Sequence, residues 1–152
     1  MAEIRTAHLF TITLKIGEIQ PLGKTPFGDR RVAVVDSGSF EGARLKGTVL
    51  KGGTDWILGR SDGVLQLDVR LTLRTHDGDI IAMTYRGYRH GPAAAIDRLN
   101  RGEKVDPAEY YFRIAPFFET ASEKYGWLNR IIALGTGDRR SDGPVYDVFE
   151  VL

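Results

Sequence analysis

The sequence predicts an all-β protein: one antiparallel, calycin-like β-barrel of about eight or nine strands with one short helix. Three observations predict it. Several segments alternate apolar and polar residues with a period of two, the strand period. One Asp-Gly pair sits between two such segments, as in a tight hairpin. The chain has 18 glycines, about one and a half times ordinary usage, and closing a sheet into a barrel removes exposed edges. A length of 152 residues suits a single domain over residues 1–152 with one core.

Residues 8–18 (HLFTITLKIGE) place Phe10, Ile12, Leu14 and Ile16 on one face and Thr11, Thr13 and Lys15 on the other, so this is a half-buried strand. Residues 21–28 are rich in turn formers, and residues 31–36 (RVAVVD) form a short second strand ending at Ser37-Gly38. Residues 43–50 read as a third strand. The pair Gly52-Gly53 then makes a sharp bend before the apolar residues 56–58. Residues 64–88 form a hairpin, VLQLDVRLTLRT and DIIAMTYRGY flanking His76-Asp77-Gly78. A two-residue Asp77-Gly78 loop pairs His76 with Asp79 and sets Arg70 opposite Tyr85 and Asp68 opposite Gly87.

Residues 92–101 (PAAAIDRLNR) read as the helix, because proline opens it, alanines favour it and Gly102 suits its end. Residues 109–119 are aromatic and strand-like, with Pro116 pointing to an edge or a bulge. The aromatic residues there, Tyr110, Tyr111, Phe112, Phe117 and Phe118, read as core. Residues 128–139 and 145–152 make a last pair of strands.

With 21 basic and 20 acidic residues and a net charge of +1, no basic groove marks a nucleic-acid partner. No apolar run approaches the roughly 20 residues of a membrane span, and the first residues carry no signal-peptide core. Without cysteine, disulfides and thiol chemistry are excluded, and a cytoplasmic location is the expectation. The three histidines, His8, His76 and His90, show no metal-ligand spacing. Nucleotide-binding glycine loops and a hydrolase elbow are also missing, so the expectation is no metal and no cofactor.

What remains is a polar constellation. Gln66, Asp68, Arg70, Thr72 and Arg74 lie on one face of the first hairpin strand, with Leu65, Leu67, Val69, Leu71 and Leu73 on the other. Either the polar face meets water, with Asp68 and Arg70 as a weak surface pair, or it lines a barrel cavity. In the cavity reading, Arg70 beside Tyr85 holds an anionic or carbonyl oxygen, and Asp68 acts as base or anchors the arginine. A carboxylate with a strongly raised pKa in an enclosed cavity would support a catalytic reading, and a solvated Asp68 would sink it. Asp55 and Trp56, after the glycine bend, fit a cavity mouth or, equally, a buried tryptophan with a capping carboxylate. Arg113 and Glu119 share a face with Tyr111 and Phe117 and point to a cavity or a subunit interface.

Gly52-Gly53-Thr54-Asp55-Trp56, Arg60-Ser61-Asp62-Gly63, Leu67-Asp68-Val69-Arg70, Thr75-His76-Asp77-Gly78 and Tyr85-Arg86-Gly87 occur in order. They are followed by Tyr111-Phe112-Arg113, Pro116, Phe118-Glu119-Thr120 and Tyr125-Gly126-Trp127-Leu128-Asn129. In these motifs, over nearly its whole length, the chain resembles the family called domain of unknown function 3237. The resemblance implies a closed calycin-like barrel, commonly a homo-oligomer. It also implies that the motifs' polar residues gather at one cavity; side-chain chemistry, not the resemblance, makes Trp56, Arg60, Arg113, Glu119, Trp127 and Asn129 the ligand-contact candidates. It carries no established catalytic residues.

The resulting expectation is a small-molecule pocket protein, a cofactor-free isomerase, lyase or cyclase for an apolar or aromatic carbonyl or carboxylate compound. Asp68, Arg70, Asp55 and Tyr85 are the catalytic candidates, with Arg70 holding the anion, an aspartate moving a proton and Tyr85 donating a hydrogen bond. A non-catalytic carrier of lipophilic ligands and an oligomeric structural module are the alternatives.

Overall fold

The structure is a computed structural model that describes residues 2–152. Nine strands run in chain order: β1 Thr6–Thr25, β2 Gly28–Glu41, β3 Lys46–Val49, β4 Thr54–Gly59, β5 Leu65–Thr75, β6 Ile80–His90, β7 Tyr111–Glu119, β8 Ala133–Arg139 and β9 Pro144–Val151. One α-helix, α1, spans Ala93–Asn100 between β6 and β7. All pairings are antiparallel, in the order β1-β9-β8-β7-β6-β5-β3-β2-β4, and β1 also pairs with β2 and β4 with β5. Among the described residues the ladders therefore close into a ring, with the shortest join between β7 and β8. No helix among the described residues is long and apolar enough to cross a membrane.

The first strand is longer than its alternation suggests. The turn formers at residues 21–28 do not end it, because β1 stays on the β2 ladder to a terminal Thr25 and Gly28 pair, with irregularities near Pro21 and Gly23. Likewise β2 runs through Ser37-Gly38. There, a side chain on Gly38 would meet the Thr13 carbonyl at 2.5 Å, so this glycine serves close strand approach and not a turn. Residues 126–130 form a 3-10 turn before β8 begins at Ala133.

The β5 and β6 hairpin forms where expected, but its loop has three residues. Thr75 N–H donates to the Asp79 carbonyl at 2.9 Å, Gly78 N–H donates back to Thr75 at 2.9 Å, and Gly78 has φ +94, the pattern of a turn closed by a left-handed glycine. The register moves by one residue. Tyr85 faces Val69, Arg70 faces Thr84 and Asp68 faces Arg86, so the expected Arg70 and Tyr85 pair does not form.

The barrel interior is filled by residues such as Phe10, Ile12, Leu73, Ile81, Met83 and Val148, all fully buried. Phe10 packs against Phe40 and Phe118, ring centroids 5.5 and 5.9 Å away. Of the aromatics at residues 110–118, Tyr110, Phe112 and Phe118 are core, whereas Tyr111 and Phe117 point outward. Pro116 pairs with Tyr85 of β6, while β8 meets β7 only at Arg113 and Ile114, so the proline lies where β7 has a ladder partner on one side only. Helix α1 buries Ala95 and Leu99, and its Leu99 and Asn100 line a cavity beside the core.

Candidate functional site

That cavity holds about 230 Å3. Its walls are mostly aliphatic, with Leu14, Ile57, Leu67 and Val69 among them, and four charged side chains reach it: Arg31, Asp55, Arg89 and Arg139. Asp55 is placed by the glycine bend. Val35 N–H donates to the Gly53 carbonyl at 2.8 Å and Gly52 N–H to Val35 at 3.1 Å. A Cβ on Gly53 would meet the Arg70 carbonyl at 2.8 Å, so glycine lets β4 start tight against β5. Asp55 then pairs with Ala33 and Val69, two inward positions. One carboxylate oxygen accepts the Asp68 backbone N–H at 3.1 Å. Burial is the main cause that raises its pKa from 3.8 to about 6, against the lowering effects of that hydrogen bond and of Arg31 and Arg89.

Arg89 is only 8% exposed. Burial, and then its neighbours Arg139 and Arg31, lower its pKa to about 10; Arg139 is lowered by the same first cause. Among the described residues, none of these three arginines is ion-paired with a carboxylate. Arg139 Nη1 donates to the Arg140 carbonyl, and the Arg89 guanidinium lies 5.9 Å from the Phe112 ring centroid. Three guanidiniums against one carboxylate give the chamber an excess of positive charge inside apolar walls. An anion entering it meets guanidiniums that no carboxylate neutralises.

Two phenols complete the site. Tyr85 and Tyr146 are buried, their rings edge to face at 5.3 Å. Burial pushes both hydroxyls above the usual tyrosine range, helped by the nearby Asp55 charge, so both stay protonated as hydrogen-bond donors.

Residues 4–151 match the family described as "Protein of unknown function (DUF3237)". The chain belongs to this family. A UPF0311 protein of Rhodopseudomonas palustris is 35% identical over 149 residues, 98% of this chain and 97% of its own. Its crystal structure covers 100% of both chains at a TM-score of 0.95. An Acinetobacter baumannii protein described as beta-barrel like aligns at TM-score 0.87 and 36% identity, covering 100% of this chain and 98% of its own. A Penicillium herquei protein named as a hydroalkoxylation enzyme is 28% identical over 128 residues, 84% of this chain and 70% of its own.

In this DUF3237 barrel the cavity gathers Asp55 and Tyr85 from the expected residues. Asp68 and Arg70 are exposed on the outer face of β5, so the polar face of the hairpin meets water and neither side chain reaches the chamber. Trp56 is 48% exposed, pointing away from the cavity that its neighbours enter. Arg60 pairs with Asp62 at 2.5 Å beside an adjoining cleft. Arg113 and Glu119 point outward from β7. Trp127 packs against the core under Arg44, whose guanidinium is 3.9 Å from the ring centroid. Asn129 clasps the Thr120 backbone through bonds of 2.8 and 2.9 Å.

The residues that were missed share a signal in the alternation. Arg89 continues the inward phase of Ile81, Met83 and Tyr85; Arg31 is in phase with Ala33 and Val35, and Tyr146 with Val148. A charge in phase with the buried face has nowhere to go but inward. Asp68 and Arg70 lie in the opposite phase.

Proposed function

We propose that this DUF3237 barrel is a cofactor-free acid–base enzyme of the isomerase, lyase or cyclase kind. Its substrate is a small, mainly apolar or aromatic compound with one anionic oxygen, such as a phenolate, enolate or carboxylate. The observation that carries this reading is the unpaired trio Arg31, Arg89 and Arg139 facing a single carboxyl of raised pKa in an aliphatic chamber. The arginines bind the oxygen anion, Asp55 exchanges a proton with carbon, and Tyr85 and Tyr146 donate hydrogen bonds to oxygen.

The name of the fungal relative supports one member of that class, addition of O–H across C=C within a molecule. In that step protonated Asp55 delivers its proton to one alkene carbon, and the substrate's arginine-held oxygen forms a bond to the other. The π pair becomes the new C–H bond, and an oxygen lone pair becomes the C–O bond. The proton first lost by the substrate hydroxyl returns to Asp55, so mass is unchanged and no further reactant is needed. With a pKa of about 6, about a tenth of Asp55 is protonated at pH 7, and the rate falls as pH rises further.

The test is incubation with a panel of ortho-allyl phenols, following loss of vinyl protons by NMR at constant mass. Turnover by the wild type that disappears in Asp55→Asn supports the reading. Turnover equal in Asp55→Asn contradicts it. Anion binding without any turnover favours a carrier, for which the largely aliphatic walls also speak.

A further inference from the structure

The cavity does not end at its arginines. A second cleft of about 180 Å3 adjoins it, and Arg31, Leu65, Arg89 and Asn100 line both spaces. The outer wall is Ile96 of α1 and the turn at residues 60–63 with Val64. This turn is well held. Gly63 N–H donates to the Arg60 carbonyl at 3.1 Å, Val64 N–H to Asp62 Oδ1 at 3.2 Å and Arg60 Nη2 to Asp62 Oδ2 at 2.5 Å. The Arg60 guanidinium also lies 5.7 Å from the Tyr88 ring centroid. Because Asp62 neutralises Arg60, the cleft adds no free charge of its own, and Val64, Leu65 and Ile96 give it apolar surface beside the polar Arg31, Arg60, Arg89 and Asn100.

Size points the same way. The inner chamber of about 230 Å3 is below the roughly 300–1,000 Å3 of ordinary small-molecule sites, and the two spaces together reach that range. A ligand ending in its anion would use only one side of Arg31 and Arg89. One with an internal anion would use both.

We propose that the outer cleft is a second substrate subsite, so that the substrate carries its anionic oxygen between two arms. One arm enters the barrel beside Leu67, Val69 and Tyr85; the other, neutral and apolar or aromatic, lies against Val64 and Ile96. The chemical class is a two-armed enolate or acylphenolate, of which 1,3-diketones are the simplest members. This inference rests on the anion site proposed above.

The probes are benzoylacetone, with one ring, and dibenzoylmethane, with a ring on each side of its enolate. Each is titrated by enolate absorbance into the wild type, Arg89→Met, Ile96→Trp and Val64→Phe. Filling the cleft is expected to weaken dibenzoylmethane about tenfold, the loss of one partly buried ring, while benzoylacetone changes less than about twofold. Val64→Phe fills the cleft from the turn, so the test survives if Ile96→Trp does not fold. Equal effects on both probes, or no effect on either, would overturn the subsite. If benzoylacetone binds through Arg89 but a second ring adds no affinity, the subsite alone falls. If neither probe binds the wild type, the anion site falls with it.

Discussion

Asp55→Asn is expected to stabilise the protein at neutral pH and to do little in acid. Raising the carboxyl from 3.8 to about 6 corresponds to about 3 kcal/mol against the ionised form. Water reaching a half-buried side chain reduces this to about 1–2 kcal/mol. The folded pKa is the higher one, so the contribution of Asp55 is fully present below 3.8, where the carboxyl is protonated in both states. It is lost as pH rises through about 6. Asparagine keeps an oxygen to accept the Asp68 N–H and carries no charge at any pH. Urea unfolding of both proteins at pH 4 and pH 7.5 isolates the effect, because the other carboxylates cancel in the difference. The variant should gain about 1–2 kcal/mol between the two conditions. A variant destabilised equally at both would refute the claim that burial disfavours the Asp55 carboxylate.

Other outcomes follow from the same geometry. Asp68→Asn and Arg70→Ala, on the wetted face of β5, should each change stability by under about 0.5 kcal/mol and leave anion affinity unchanged; a large loss of binding in either would return them to the site. Gly53→Ala should cost about 1–3 kcal/mol in urea unfolding, since its Cβ would meet the Arg70 carbonyl and Leu71 at 2.8 and 2.9 Å, and an unchanged midpoint would show that the bend has room. Tyr146→Phe should weaken anion binding while folding normally, because only a cavity-facing hydroxyl is removed; unchanged affinity would take that phenol out of the site.

Much of the barrel is legible in the sequence because the strand period fixes which side chains enter the core. The alternation from Phe10 to Ile16 and along β5 gave the faces found in the structure. Loop length is harder to read, since an Asp-Gly pair suits loops of two or three residues, and that one residue decided what faces Tyr85. Turn formers misled at residues 21–28 because pairing with β2 outweighs local preference. For the site, chemistry concentrated in conspicuous motifs drew attention to Asp68 and Arg70. The arginines that meet in space, Arg31, Arg89 and Arg139, come from three distant strands, and only closure of the sheet brings them together. Asp55 was legible through its glycine bend, a local signal.

The central claim is that Arg31, Arg89 and Arg139 make this cavity an anion site, and the bound state of 4-nitrophenol tests it most directly. At a pH about one unit below its own pKa the free phenol is mostly colourless, and nearby cations favour its coloured phenolate. Adding the protein should raise the phenolate absorbance, and Arg89→Met should abolish that rise while remaining folded. Binding with the phenol still protonated, or a rise that Arg89→Met leaves intact, would contradict the claim.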